Sequence, residues 1–446
     1  MAVFTVTNLF DSGAGSLRQA IFDANAQEDA DEISFDAGLS GGTISLTSGE
    51  LLITNDLAIN GLGMNSLTIN GNKLSRVFHV DDGDDSNFID VAIKGLKVTE
   101  GSPFNNFSLL DGGGIFNKEN LQIIDSTISG NGLFDNLFSL IGGGISSASG
   151  ELVIEDSIVS DNIAVYGGGI FNFGTSELTI TDSIISGNTA MLDGGGISAY
   201  GGDKKITNTT ISNNTVIEGF GGGIRTSSSL ELVNSTVSGN TSNRIGSGIY
   251  NQSSGELKIT NSTIVGNMAS GDGVYGSSAG VYNRGSAIVD NSIIAGNTGV
   301  NNSDVVGDFT SNGFNIIGDP TGSNGFENDL IEPDINKILD PNLANNGGLT
   351  PTHALVFGSP AIDAGNNGDV PLGIMSDQRG FGFDRIVDGD GDGVAIVDIG
   401  AFEQQSTTVP EPSSVLGLLL SVVLGAGLIF KGKLRCLFRW EGKRRS

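Results

Sequence analysis

The 446-residue sequence predicts an all-β fold, a parallel β-helix solenoid with about 26 residues per turn, and three observations carry that expectation. First, one phrase recurs seven times: Leu121-Gln-Ile-Ile-Asp-Ser-Thr-Ile-Ser-Gly-Asn131 returns at 152–162, 178–188, 204–214, 230–240, 257–267 and 287–297. The closing Asn residues stand 31, 26, 26, 26, 27 and 30 positions apart, so the period holds except where residues are inserted. A looser Gly-Gly-Gly-Ile phrase interleaves with it, at Ile115, Ile145, Ile170, Ile197, Ile224, Ile249 and Val281. Second, apolar residues alternate as in strands: Leu178 and Ile180 share a face, Asp182-Ser183 breaks the alternation, and Ile185 resumes it. Such a break is a corner between two short strands. Third, the chain holds 69 Gly, about twice the usual share, and no repeat unit has a helical period.

Each unit then reads as three short strands and three corners, one turn of a solenoid whose neighbours stack about 4.8 Å apart. Like residues lie over like. The Ile and Val residues form columns that no single unit could bury. Asn131, Asn162, Asn188, Asn214, Asn240, Asn267 and Asn297 form an amide ladder, and the Gly triplets suit a corner with positive φ or close backbone contact.

The elements follow in order. Residues 1–45 read as an N-terminal cap: Ser16-Leu-Arg-Gln19 has capping-box spacing, and Leu17, Ala20, Ile21 and Ala24 make the apolar stripe of a short helix over the first turn. Residues 46–302 are the solenoid. Residues 303–403 lose the period and read as a segment that finishes the last turns and closes the end. Residues 404–412 form a polar linker ending in Pro410, Glu411 and Pro412. From Ser413 to Phe430 run 18 uncharged residues, the lower limit for a transmembrane helix, and 431–446 is a basic tail with seven Lys or Arg against Glu441. The basic flank places the C-terminus in the cytoplasm and the large acidic domain on the other side.

Composition narrows the function. A formal charge of -29 argues against nucleic acid as a partner, since phosphate binding needs clustered Lys and Arg. Cys436 is the only cysteine, so no internal disulfide or cysteine metal cluster holds the fold, and two His make zinc hydrolysis improbable.

The Gly-Gly-Gly-Ile, Asp-Ser-x-Ile and Gly-Asn phrases resemble the right-handed parallel β-helix family that includes pectate lyases and many bacterial surface proteins. The resemblance covers roughly residues 45–300 and implies the right hand of the coil; it says little of function, because this fold hosts many. The segment Phe4-Thr-Val-Thr-Asn8 through Ala20-Ile-Phe-Asp-Ala-Asn25 resembles the N-terminal segment of such surface proteins. Ser359-Pro-Ala-Ile-Asp-Ala-Gly365, Asp377-Gln-Arg-Gly380 and Asp398-Ile-Gly-Ala-Phe-Glu403 resemble the choice-of-anchor domain that precedes interchangeable anchor signals. Val409-Pro-Glu-Pro-Ser-Ser414, with the apolar run and basic end, resembles the PEP-CTERM sorting signal. That resemblance implies an exosortase-type sorting enzyme as partner, removal of the tail at the membrane, and a cell-surface, outer-envelope or secreted location in a Gram-negative-type bacterium. Met1-Ala-Val-Phe-Thr-Val lacks the basic start and apolar run of a signal peptide, so this localisation rests on the tail.

Two candidate sites emerge. Asp388, Asp390 and Asp392, followed by Gly393, resemble the start of an EF-hand-type calcium loop. Ile399 occupies the twelfth position, so Asp398 or Glu403 would have to complete it; a solvated acidic turn is the alternative. If Ile170 points inward, parity turns Phe116, Phe171, Phe173, Tyr200, Arg225, Tyr250, Tyr282 and Arg284 outward on one sheet, a platform for sugar rings with guanidinium groups for hydroxyls or carboxylates. A segment packed over this stripe is the alternative. Loops at 132–141, 268–278 and 102–111, holding Phe104, Phe107, Phe134 and Phe138, are where a solenoid places variable function.

Catalysis is the less favoured expectation. Asp111 and Asp193 share a corner but lie three turns apart, roughly 14 Å by strand spacing, whereas inverting carboxylates sit about 6.5–9.5 Å apart. No row of carboxylates on adjacent turns meets an outward Arg. The expected function is a non-enzymatic surface or matrix protein that binds or organises polysaccharide or acts in adhesion, with a polysaccharide lyase or hydrolase second and a spacer without ligand third.

Overall fold

The computed structural model describes residues 1–102, 111–133, 141–271, 278–300 and 303–405. Phe104, Phe107, Phe134 and Phe138, the sorting motif Pro410, Glu411 and Pro412, and the run 413–430 lie outside the described residues. The chain coils into a parallel solenoid of about 11 turns with about 27 residues each, slightly above 26 because the inserted turns are included. Among the described residues no helix is long and apolar enough to cross a membrane.

Three long parallel sheets line the coil. The first runs from Val3–Val6 and Asp31–Phe35 to Thr310–Ser311, the second from Leu51–Ile53 to Ser323–Asn324, and the third from Gly42–Ser45 to Leu330–Ile331. The register stacks like on like: Ile154, Ile180 and Ile206 pair in sequence, as do Val159, Ile185 and Ile211, and Ile145, Ile170 and Ile197. All nine are at most 1% exposed and belong to one apolar core. Lys204 interrupts the Leu178 to Leu230 column. Its ammonium reaches the carbonyl oxygens of Ser176 and Gly201, and burial pushes its pKa down to about 8.

The corners follow from residue type. Asp125, Asp156, Asp182, Asn208, Asn234, Asn261 and Asn291 adopt left-handed φ of 47–53°, which short polar side chains tolerate. The next residue in each turn is Ser or Thr. The Ser157 hydroxyl accepts from the Ser126 amide and donates to the Glu155 carbonyl, and the column repeats this through Ser183, Thr209, Ser235, Ser262 and Ser292.

The amide ladder forms over all seven Asn residues. Each Nδ2 donates to the next Oδ1 at 2.8–3.0 Å and to a backbone carbonyl of the preceding turn, while the backbone amide donates to the same Oδ1. Gly196 sits over it: a Cβ there would lie 2.7 Å from the Gly223 carbonyl oxygen and 3.0 Å from Asn214 Nδ2. At the last turn Asn297 donates from both nitrogens to Asp304 at 2.7 Å. Burial raises the pKa of Asp304 to about 6, and the Asn297 bonds oppose this.

That shift fixes a pH dependence. Native Asp304 holds its proton more tightly than in the unfolded chain, so its contribution is present below pH 4 and lost as pH rises through 6. It corresponds to about 2–3 kcal/mol. Urea unfolding at pH 4.5 and 7.5 is expected to show Asp304→Asn with a flatter pH slope than wild type; equal slopes would refute the assignment.

Two features depart from the three-strand expectation. After the ladder, Ile163–Tyr166, Thr189–Asp193, Thr215–Val216, Thr241–Ser242 and Met268–Ala269 form a fourth, five-stranded sheet. The C-terminal segment continues the solenoid only to Leu330–Ile331 and, rather than stopping at the end, runs back along the outer face of the third sheet. There Ile338, Leu339, Leu355, Ile399 and Phe402 cover Val265, Ile293, Ala295 and Ile316. Further along, Thr210 donates to the Pro351 carbonyl, Thr236 to Gln378 Oε1, and Ser238 bonds His353 at 2.9 Å. Residues 1–405 form one compact unit as a result.

The cap forms at Leu17–Ala24, with Leu17, Ala20, Ile21 and Ala24 buried. The Ser16 hydroxyl accepts from the Gln19 amide, but the Gln19 side chain turns to Asp23 at 2.8 Å, so only half of the capping box closes. Arg18 holds Asp11 at 2.7 Å and bonds the carbonyls of Gly49 and Glu50, tying the helix to the second sheet. The Asp11 pKa falls to about 2: burial would raise it, and the bonds from Arg18, Ser48 and Thr47 outweigh that.

Candidate functional site

The outer face of the second sheet carries the candidate site. From Ile115–Asn117 to Ile249–Asn251 its strands are three residues long with Ile first, so the middle residue points out, and with His79 after Phe78 and Tyr282 after Val281 these residues stack in register: His79, Phe116, Ser146, Phe171, Ser198, Arg225, Tyr250 and Tyr282. Phe173, Tyr200 and Arg284 follow two residues later at the next corner. All eight expected residues thus lie along one edge of the coil.

The rings meet. Phe171 lies 5.1 Å from Phe173 and 5.5 Å from Tyr200 between ring centroids, and Tyr250 lies 5.9 Å from Tyr282. Tyr166 and Phe220, from the corner beside the fourth sheet, pack on Phe171 and Tyr250 at 6.4 and 5.2 Å. This packing corrects the parity expectation of a fully open stripe. Phe116, Arg225 and Tyr250 are only 4–6% exposed, Phe171, Phe173, Tyr200 and Tyr282 are half-buried, and Arg284 is exposed. Pointing away from the core is not the same as facing water, because rings on adjacent turns cover one another. The C-terminal segment is not the cover; it lies on the third sheet.

Sequence reasoning missed the charge pair at the centre. The Arg225 guanidinium lies over the Tyr200 ring at 3.9 Å and its Nε is 3.4 Å from Asp193 Oδ2. Burial raises the Asp193 pKa, and Arg225 and Arg244 oppose it. Asp193 Oδ1 and Arg225 Nη1 are buried without a hydrogen-bond partner, so the pair retains polar capacity. Counting along the repeat put Asp193 at a corner and turned Arg225 outward but did not bring the two together, because the Asp193 strand is out of step with its neighbour, Tyr166 pairing with Asp193 across a bulge. Burial drives the Tyr200 hydroxyl up to about 12, and Arg225 works against this. The Tyr250 hydroxyl raises the pKa of the exposed Arg284.

The N-terminal end of the stripe is polar. Arg76 lies 5.1 Å from the Phe116 ring and 2.6 Å from Glu50, which also bonds His79 at 3.0 Å. Burial alone would raise Glu50; its bonds to His79 and Arg76 hold it below the ordinary value. Nearby, carboxylate oxygens of Asp81, Asp82 and Glu119 lie within 4.8 Å of one another, a grouping the sequence did not reveal.

At the expected calcium loop the structure brings together Asp363, Asp388 and Asp390, again within 4.8 Å, rather than the set Asp388, Asp390, Asp392 and Asp398. Asp388 accepts from the amides of Gly391 and Gly393, closing the loop. Asp392 turns to the Val394 amide, and Asp398 is buried, accepting from the amides of Asp363 and Gln404. Glu403 is equally buried, accepting from Val387 and Asp398, so neither reaches the loop as a ligand. Asp363 was missed because it lies 25 residues upstream, brought in by its left-handed φ of 50° and by amides of Gly389 and Asp390.

No curated protein sequence matches the chain. Among solved structures it is similar to a crystal structure of pectate lyase Pel9A, with 13% identity over 91% of this chain and 97% of that one and a TM-score of 0.45. It is also similar to ORF18 of Geobacillus virus E2, with 12% identity, 74% of this chain, 58% of that one and a TM-score of 0.32. Residues 57–234, which hold Phe116, Phe171, Phe173, Tyr200 and Arg225, match the family model described as a right handed beta helix region.

Proposed function

We propose that the chain is an exported, non-enzymatic β-helix protein that binds or organises polysaccharide at the cell surface or in the extracellular matrix. The observation that carries this reading is the stripe from Phe171 to Tyr282 along one parallel sheet, about 19 Å over four turn spacings, in which Tyr200 and the Arg225 guanidinium stacked on it lie between the Phe171 and Tyr250 rings and the exposed Arg284 stands at the margin. Half-buried rings held by their neighbours offer flat apolar faces with little ordering cost, and guanidinium groups donate to hydroxyls or carboxylates. The 413–430 run serves as a membrane segment until an exosortase-type enzyme processes Pro410-Glu411-Pro412, leaving the domain at the surface. Calcium, if it binds, is held by Asp363, Asp388 and Asp390 and stiffens their loop.

A glycan array paired with a turnover assay, with and without calcium, tests this reading. Binding without product is expected, and Tyr282→Ala and Arg284→Ala are each expected to weaken it about tenfold, the effect of roughly 1.4 kcal/mol. Unchanged affinity in both variants would remove the stripe from the proposal. The second reading, a polysaccharide lyase or hydrolase, is favoured by the buried Arg225–Asp193 pair. Product formation abolished by Arg225→Ala would establish it instead.

A further inference from the structure

The hairpin at 375–385, on the outer layer of the C-terminal segment, displays large apolar side chains to solvent. Phe381 at its tip is 102% exposed, Met375 on its first arm 82%, and Leu372 on the turn before it 104%. Leu349, 69% exposed, belongs to the adjoining turn, where Gly347 lies against the Phe383 ring. Single exposed apolar residues need no explanation, but Phe381 and Met375 on one hairpin, with Leu372 on the turn before it, do.

The hairpin beneath them is rigid. Ser376 pairs with Asp384, and the amides of Arg385 and Asp377 donate to the carbonyls of Met375 and Phe383. Asp377 clasps Arg379 at 2.6 Å, and the Arg379 guanidinium is sandwiched between Phe383 and Phe402 at 3.9 and 3.8 Å. Phe383 thus turns inward while Phe381, two residues earlier, is held out.

We infer that this hairpin docks on a lipid bilayer, inserting Phe381, Leu372 and Met375 into its interfacial layer. The position of the chain end selects this occupant. Gln405, the last described residue, bonds the Asp384 carbonyl on the hairpin at 3.0 Å. Only seven residues, 406–412, separate it from the uncharged run starting at Ser413, a reach under about 30 Å. Any membrane entered by that run is therefore within reach of the exposed tips, and aromatic and aliphatic side chains at this depth gain apolar burial. The charge specifies the lipid: residues 303–405 carry 17 Asp or Glu and three Lys or Arg, so the surface suits zwitterionic rather than anionic headgroups.

The inference rests on 413–430 entering a membrane, and the experiment separates the two. Trp440, the only tryptophan in the chain, lies ten residues beyond the run, so it is replaced and the run carries its own reporter at Leu420. The full chain is reconstituted in phosphatidylcholine vesicles with and without brominated acyl chains, in a Trp440→Phe background, as Leu420→Trp, Phe381→Trp and Ile288→Trp. Ile288 lies on the outer face of the first sheet and is 41% exposed, so it serves as the control. Expected is at least twofold quenching for Leu420→Trp and Phe381→Trp and none for Ile288→Trp. Quenching of Leu420→Trp alone would overturn the docking surface while leaving the membrane segment in place. No quenching of Leu420→Trp would overturn both. Equal quenching at 381 and 288 would mean general adsorption and would also overturn the proposal.

Discussion

Replacing Asn214 by alanine is expected to open the middle of the solenoid at a cost of about 3–5 kcal/mol. Its Oδ1 accepts from the backbone and side-chain nitrogens of Asn188 at 3.0 and 2.9 Å, and its Nδ2 donates to the Ile185 carbonyl and Asn240 Oδ1, both at 2.9 Å. The site is 0% exposed, so water cannot replace these partners without entering the core. Each buried group left unpaired costs about 1–3 kcal/mol. Turns of a solenoid contact only their neighbours, so the loss should stay local. Hydrogen exchange would show it as lost amide protection over about 185–241, with the cap and last turns unchanged. Asn214→Asp should be worse at neutral pH, because it buries a charge and sets a carboxylate oxygen against the Ile185 carbonyl and Asn240 Oδ1. Uniform loss of protection along the chain, or none, would refute a local ladder.

The same ladder shows why much of the fold was legible. A buried amide that must meet its copy one turn away, and an Ile that must lie over an Ile, leave their spacing in the sequence. Asp182-Ser183 was readable as a corner because it breaks the strand alternation, and Asn208 and Asn234 repeat that corner with the left-handed φ that few residues accept. What repeats by contact is visible as period. The Arg225–Asp193 pair was not, since it depends on a corner strand slipped out of register with its neighbour. Parity gave the direction of Tyr250 and Phe116 but not their cover, which comes from Phe220 and Arg76 at other corners. The flank position of the C-terminal segment was hidden for a similar reason. Thr210, Thr236 and Ser238 alternate outward as on any solvated strand, and only the partners Pro351, Gln378 and His353 reveal a buried face.

Arg385→Met is expected to destabilise the C-terminal layer by about 3–5 kcal/mol at pH 8, because it breaks a buried ionic cluster on one side only. Arg385 is 1% exposed. Its Nη2 donates to the carbonyls of Asp398 and Gly400 at 3.0 and 2.6 Å, and its Nη1 lies 3.7 Å from Glu403 Oε2. Methionine fills the volume but leaves both carbonyls without these donors and the two carboxylates without their cation. The pH dependence distinguishes this from a packing defect. Burial raises the pKa of both Glu403 and Asp398, and Arg385 opposes that rise. Both groups hold protons more tightly in the native state, so their contribution is present below pH 4 and lost as pH rises through their native values. Without Arg385 those values climb further. The deficit of the variant should therefore shrink from pH 8 to pH 5, as Asp398, raised to about 6, takes up its proton; Glu403, raised to about 9, holds its proton throughout this range. Guanidinium unfolding at both pH values, followed by hydrogen exchange over 335–405, measures it, and a deficit equal at both would sink the electrostatic account. The motifs Asp377-Gln-Arg-Gly380 and Asp398-Ile-Gly-Ala-Phe-Glu403 then have a physical role: Asp377, Arg379, Asp398 and Glu403 surround Arg385 and fasten the layer to the solenoid through Gln378 and Ala401.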